Sequence, residues 1–128
     1  MSIEVSKYLT CADPVLGQFI KKFESVTLAP NNRITLFEAL VKSVIGQQLS
    51  GKAAHSILSK LKNQVGGKKL ISPEKILSTP YGKIRSAGVS DSKARTIITL
   101  AETVKTGAIP SSRKMRSMSD EEIVRALT

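Results

Sequence analysis

Gln47 and Gln48 are the first side chains whose type and placement pose a chemical question. They stand in Ile45-Gly46-Gln47-Gln48-Leu49-Ser50-Gly51-Lys52-Ala53-Ala54, after a strongly apolar run and before a hydroxyl residue. Each amide offers donors and an acceptor, so such a pair can hydrogen-bond base edges or fill a space in a base stack. A helix opening at Ser50 would aim its first N–H groups at whatever lies before it, and phosphate suits them. On residue types alone a plainer reading is favoured, that of an ordinary helix–helix turn with solvated amides.

The other chemically capable residues form no catalytic constellation. His55 has no Asp, Cys or Ser arranged by sequence to make a triad and reads as a partly exposed helix residue. Glu121 and Glu122 are adjacent carboxylates, but a helix cap accounts for Glu122 and solvent for Glu121. Gly66-Gly67-Lys68-Lys69 lacks the spacing and the following hydroxyl of a phosphate loop, and reads as a basic turn. Cys11 is the sole cysteine, so no intrachain disulfide can form, and with His55 it cannot build a structural zinc site. No metal and no cofactor is expected.

Charge is the strongest bulk signal. Lysine and arginine number 20 against 10 acidic residues, a formal net charge of +10. The excess is local: residues 42–95 hold eleven basic residues against Glu74 and Asp91. A confined positive field attracts a polyanion and releases its counterions on binding, which points to nucleic acid. A solvated surface, an RNA-rich partner or an anionic membrane would also suit the charge. The mean hydropathy of −0.04 is that of a globular chain, and no apolar run approaches the roughly 20 residues of a membrane helix. The N-terminus, with its early Glu4, does not read as a secretory signal. An intracellular setting, cytoplasm, nucleoid or nucleus, is expected.

These residues must be positioned by helices, because the punctuation is helical throughout. Asp13-Pro14 reads as a cap followed by proline at the first helical position, with Val15, Phe19 and Phe23 four apart beyond it. Pro30-Asn31-Asn32 breaks the chain. Thr35 with Glu38 has capping-box spacing, and Phe37, Leu40, Val41, Val44 and Ile45 follow at helical intervals. Ser50 caps a helix whose stripe is Ala53, Ala54, Ile57, Leu58, Leu61 and Val65, ended by Gly66-Gly67. Ser72-Pro73-Glu74 opens a short helix stopped by Thr79-Pro80. Another turn or two ends at Gly88. Ser90 caps a longer helix with Ala94, Ile97, Ile98, Ala101 and Val104 inward, ending at Gly107. Ser119 and Glu122 form a second capping box before Ile123, Ala126 and Leu127. The expectation is all-α, a helical bundle, with residues 1–34 as N-terminal helices and 35–128 as an incomplete helical DNA-binding domain.

Taken in order, several stretches resemble the helix-hairpin-helix DNA glycosylases, and within them the 3-methyladenine DNA glycosylase II type. They are Phe37 to Val41, Ile45 to Ser50 with Lys52-Ala53-Ala54, Asp13 to Leu16, Ser86 to Ser90 with Lys93-Ala94, Leu100-Ala101, Gly107, Ile109-Pro110, and Met118 to Glu122 with Leu127. The resemblance runs from about Leu9 to the last residue. It implies base-excision repair of alkylated bases on double-stranded DNA. Full-length members flip a damaged base from the duplex, and an aspartate then assists hydrolysis of the N-glycosidic bond. The family's hairpin and its aspartate have no counterpart in these residues. No catalytic residue is therefore assigned. The chain alone is expected to be inactive, and residues 1–34 are expected to pack with a C-terminal part carried elsewhere, which could be a separate fragment. The resemblance also implies that Gln47, Gln48 and Leu49 supply the segment inserted into the stack. Ser50, through the N–H groups that start there, Lys52, by its place beside the turn, and Lys93, near its own helix start, are the expected DNA contacts. The alternative is a non-catalytic DNA-binding module that reuses the fold.

Overall fold

In the computed structural model, residues 3–23, 33–66 and 70–128 are described. The Pro30-Asn31-Asn32 break and the Gly67-Lys68-Lys69 part of the basic turn lie outside them. The described residues contain nine helices and no strand, so the all-α expectation holds. The chain divides into two units, Met1–Asn32 and Arg33–Thr128.

The first unit is a helix pair, α1 (Ile3–Ala12) and α2 (Pro14–Lys22). Asp13 starts α2 as expected: its Oδ1 accepts from Val15 N at 2.9 Å and Leu16 N at 3.1 Å. The two helices approach closely where Gly17 meets Thr10. A Cβ on Gly17 would lie 2.9 Å from the Thr10 carbonyl oxygen, so only glycine permits this contact. Val15, Phe19 and Phe23 are exposed.

The second unit holds α3 (Leu36–Gly46), α4 (Gly51–Gln64), α5 (Pro73–Leu77), α6 (Tyr81–Ser86), α7 (Asp91–Lys105), α8 (Ser112–Met115) and α9 (Asp120–Leu127). α7 lies at its centre, against α3, α5 and α6, while α4 packs on α3 and α6. The apolar stripes read from spacing meet there. Phe37, Val41 and Ile45 of α3, Leu58 and Leu61 of α4, Ile76, Ile84, and Ala94, Ile97 and Ala101 of α7 form one buried core with Ile71 and Val89. Serines start α4, α5, α7, α8 and α9, each accepting from a backbone N–H in the first turn. The capping box at Ser119 and Glu122 is complete. Val124 and Leu127 on α9 remain exposed.

The capping box expected at Thr35 is only half formed. Thr35 accepts from Glu38 N at 3.1 Å, but the Glu38 carboxylate does not return to the cap. It turns into the protein, where it is 1% exposed. One oxygen accepts from Ile71 N at 3.0 Å and the other pairs with Lys62 Nζ at 2.5 Å. A long-range ion pair and a buried N–H needing an acceptor outweigh a local cap worth a few tenths to about 1 kcal/mol.

Candidate nucleic-acid interface

The glutamine turn joins α3 to α4. Gln47 ends α3 with extended ψ, and Leu49 N donates to Gly46 O at 3.2 Å to close the turn. Ser50 then accepts from Ala53 N at 3.3 Å. Gln47, Gln48, Leu49 and Ser50 are all exposed, while Val41, Ile45, Leu58 and Leu61 on the flanking helices are buried. The segment therefore projects from the surface on a packed base.

Gln48 has φ of 57°, and among the described residues it alone combines a positive φ with a side chain. The left-handed region costs a non-glycine residue roughly 1–2 kcal/mol. Strain of this kind collects where a side chain must be presented rather than where the fold is cheapest. Gln48→Gly should raise the unfolding free energy by about 0.5 kcal/mol after the added freedom of the unfolded chain is subtracted. Gln48→Val should lower it by about 1 kcal/mol or more. Urea unfolding of the three proteins checks the order, and a Val variant as stable as the Gly variant would contradict this backbone geometry.

α7 completes the surroundings. Gln47, Gln48, Ser90, Ser92 and Lys93 line one polar recess of about 490 Å³. Beneath Leu49, a smaller hollow of about 120 Å³ is bounded by Ile45, Ile57, Gly88, Val89 and Lys93. The recess is lined by amides, hydroxyls and one ammonium, and no carboxylate borders it. Such a wall suits phosphate and sugar oxygens.

The sequence put forward Lys52 and Lys93 among the eleven basic residues of this stretch, and here the geometry divides the described ones. Lys62 pairs with Glu38. Lys75 donates to Leu70 O at 3.3 Å, and Arg85 to Val89 O at 2.5 Å. Arg95 pairs with Asp91 at 2.9 Å. Lys93 donates to Ile45 O at 2.8 Å and Gln47 O at 2.6 Å. Lys42, Lys52, Lys60 and Lys83 are exposed and are the described cations of this stretch left to meet a polyanion. Lys52 lies at the start of α4, two residues beyond Ser50. The internal roles of Arg85 and Lys93 were not visible in the sequence, because a carbonyl partner leaves no residue signature.

The described carboxylates are largely engaged in capping and pairing. Asp91 accepts from the Tyr81 hydroxyl, and this bond together with the one from Arg95 holds the Asp91 carboxyl below the usual range, while the bond to Asp91 pushes the Tyr81 phenol up. Glu74 and Glu121 are held low by their own backbone N–H groups and by the capping serines Ser72 and Ser119. Groups held ionised in this way are poor proton donors. His55 and Cys11 are exposed, and the described residues hold no cluster of three or more potential metal ligands. No described helix is long and apolar enough to cross a membrane.

Comparison with known proteins gives this arrangement its setting. The alkylbase DNA glycosidase-like protein mag2 of Schizosaccharomyces pombe is 28% identical over 123 residues, which is 95% of this chain and 58% of that protein. The structure of the S. pombe 3-methyladenine DNA glycosylase Mag1 in complex with abasic DNA superposes with a TM-score of 0.79 at 25% identity, covering 97% of this chain and 61% of Mag1. A DNA-3-methyladenine glycosidase from Bacillus halodurans superposes with a TM-score of 0.76 at 32% identity, covering 98% of this chain and 56% of that structure. The chain thus spans under two thirds of the length of each of these proteins. Residues 41–127, from the middle of α3 to the end of α9, match the HhH-GPD superfamily base excision DNA repair proteins. The chain belongs to the HhH-GPD superfamily.

Proposed function

We propose that this chain is the DNA-recognition part of an alkylbase DNA glycosylase. It binds duplex DNA with its basic second unit and inserts the Gln47-Gln48-Leu49 turn where a damaged base leaves the stack. The observation that carries this reading is the turn itself, three exposed side chains on a buried base with Gln48 in a strained backbone region. Support comes from the superfamily match and from a similar fold solved on abasic DNA. Ser50 and Lys52 at the start of α4, and Lys93 at the start of α7, flank the inserted segment. Residues 35–128 act as the DNA-binding domain. The helix pair within residues 1–34 offers its exposed apolar side chains to a C-terminal part of the kind the family resemblance implies. The chain's own contribution is recognition, and a carboxylate for hydrolysis of the glycosidic bond comes from that part.

The test uses the 128-residue chain with two duplexes, one intact and one holding a tetrahydrofuran abasic-site analogue. The wild-type chain should prefer the abasic duplex, because the gap admits the turn without the few kcal/mol needed to unstack a base. Gln48→Ala and Leu49→Ala should each reduce that preference several-fold, since each removes side-chain atoms that fill the gap, at roughly 0.8 kcal/mol per buried CH2. Neither should change the salt dependence, because neither carries charge. If the glutamine changes do nothing and Leu49→Ala only lowers the melting temperature, the turn is an ordinary connection.

A further inference from the structure

Lys93 is oddly placed for a surface cation. Its ammonium reaches 46 and 48 residues back along the chain to the carbonyls of Gln47 and Ile45, at 2.6 and 2.8 Å. Those carbonyls sit at the C-terminal end of α3. The last carbonyls of a helix lack partners within it, and the helix dipole gathers negative charge there. A glycine in the left-handed conformation commonly closes such an end. Here the chain continues through Gln47 and the strained Gln48 instead, and a cation from another helix supplies the closure.

The donor is itself held at both ends. The backbone N–H of Lys93 donates to the Ser90 hydroxyl at 3.3 Å, within the cap of α7. Its stem borders the hollow formed by Ile45, Leu49, Ile57, Gly88 and Val89. The nearest carboxylate along the chain, Asp91, is engaged by Tyr81 and Arg95. The side chain is half-buried, unlike the exposed Lys42, Lys52, Lys60 and Lys83.

We infer that Lys93 is a positioning residue that latches the Gln47-Gln48-Leu49 turn to α7, so that the turn meets DNA already formed. This inference rests on the reading of the turn as the inserted segment. A latch of this kind removes the ordering cost that a mobile loop would bear on binding. It also withdraws the Lys93 charge from the phosphate-facing set: the sequence placed Lys93 among the DNA contacts, and its contribution is made through the turn.

Lys93→Met keeps the stem and removes the charge, and Lys93→Arg keeps a cation. In the full chain free of DNA, amide exchange at Leu49 should become about tenfold faster in Lys93→Met, while core amides such as that of Ile97 keep their protection. Lys93→Arg should recover part of the protection. On the two duplexes, Lys93→Met should lose roughly fivefold of the abasic preference through that ordering cost, with the slope of log Kd against log salt unchanged. A slope smaller by about one would make Lys93 a phosphate contact and overturn the latch. Unchanged exchange at residues 46–49, or protection lost evenly across α3, α4 and α7, would overturn it as well. If the wild-type chain shows no abasic preference, the insertion reading fails instead, and the exchange measurement alone still decides whether the latch exists.

Discussion

Replacing Glu38 with alanine should destabilise the second unit by about 3 kcal/mol, the sum of a charged hydrogen bond lost and a buried N–H left unpaired. Glu38 links three segments: it sits on α3, pairs with Lys62 on α4, and accepts from Ile71 N ahead of α5. Ile71 is 1% exposed, so its N–H cannot turn to water when the acceptor goes. Lys62 is less trapped, with its side chain 24% exposed, and its ammonium can move into solvent. The loss therefore falls mainly on the Ile71 bond and the space left behind, which keeps the expected value near the low end for a broken buried pair. In a unit of this size about 3 kcal/mol corresponds to a melting temperature lower by roughly 12 °C or more. Glu38→Gln retains an acceptor of the same shape and should recover about half of the loss. Lys62→Met leaves the buried carboxylate without its cation and should also be severe, at about 3 kcal/mol or more. Calorimetry on the three variants decides this, and a Glu38→Ala protein melting within a few degrees of wild type would mean the pair is not formed.

Glu38 also shows where the sequence stopped being legible. The spacing of Thr35 and Glu38 is that of a capping box, and the local rule gave the correct helix start and the wrong partner. The rule could not know that Ile71, 33 residues further on, would need an acceptor. The pair at Ser119 and Glu122 has the same spacing and no buried competitor, and there the box closes. Helix starts were readable because caps are local chemistry of Ser, Thr, Asp and Pro. Core faces were readable because Phe37, Val41 and Ile45, or Ala94, Ile97 and Ala101, recur at helical spacing. α8, the four residues SRKM between Pro110 and the capping box at Ser119, passed unnoticed because a single turn is too short to show an apolar period. At the candidate interface, the glutamine turn was singled out by residue type and resemblance. The strain at Gln48 and the reach of Lys93 to α3 were not, because backbone dihedrals and cation-to-carbonyl bonds follow from tertiary packing.

The same division of cations sets the expected strength of the electrostatics. Eleven basic residues between 42 and 95 would suggest a very steep salt dependence if all faced a duplex. Five of them have partners within the protein: Lys62, Lys75, Arg85, Lys93 and Arg95. The described residues Lys42, Lys52, Lys60 and Lys83 remain exposed. Each phosphate neutralised contributes roughly 0.9 to the slope of log affinity against log salt. With three to five such contacts, the slope should lie between about −3 and −5, and affinity should fall roughly 60- to 1,000-fold between 50 and 200 mM salt. Full engagement of the stretch would instead bring the slope near −10. Fluorescence anisotropy on a labelled duplex over that salt range separates the cases. Lys52→Ala should reduce the slope by about one and weaken intact and abasic duplexes alike, as a phosphate contact does. Gln48→Ala should do the reverse, sparing the slope and lowering the preference. A flat salt dependence would remove the DNA-binding role of the basic stretch. A slope near −10 would mean that the internal pairs open on the duplex, and the latch at Lys93 would then fail with them.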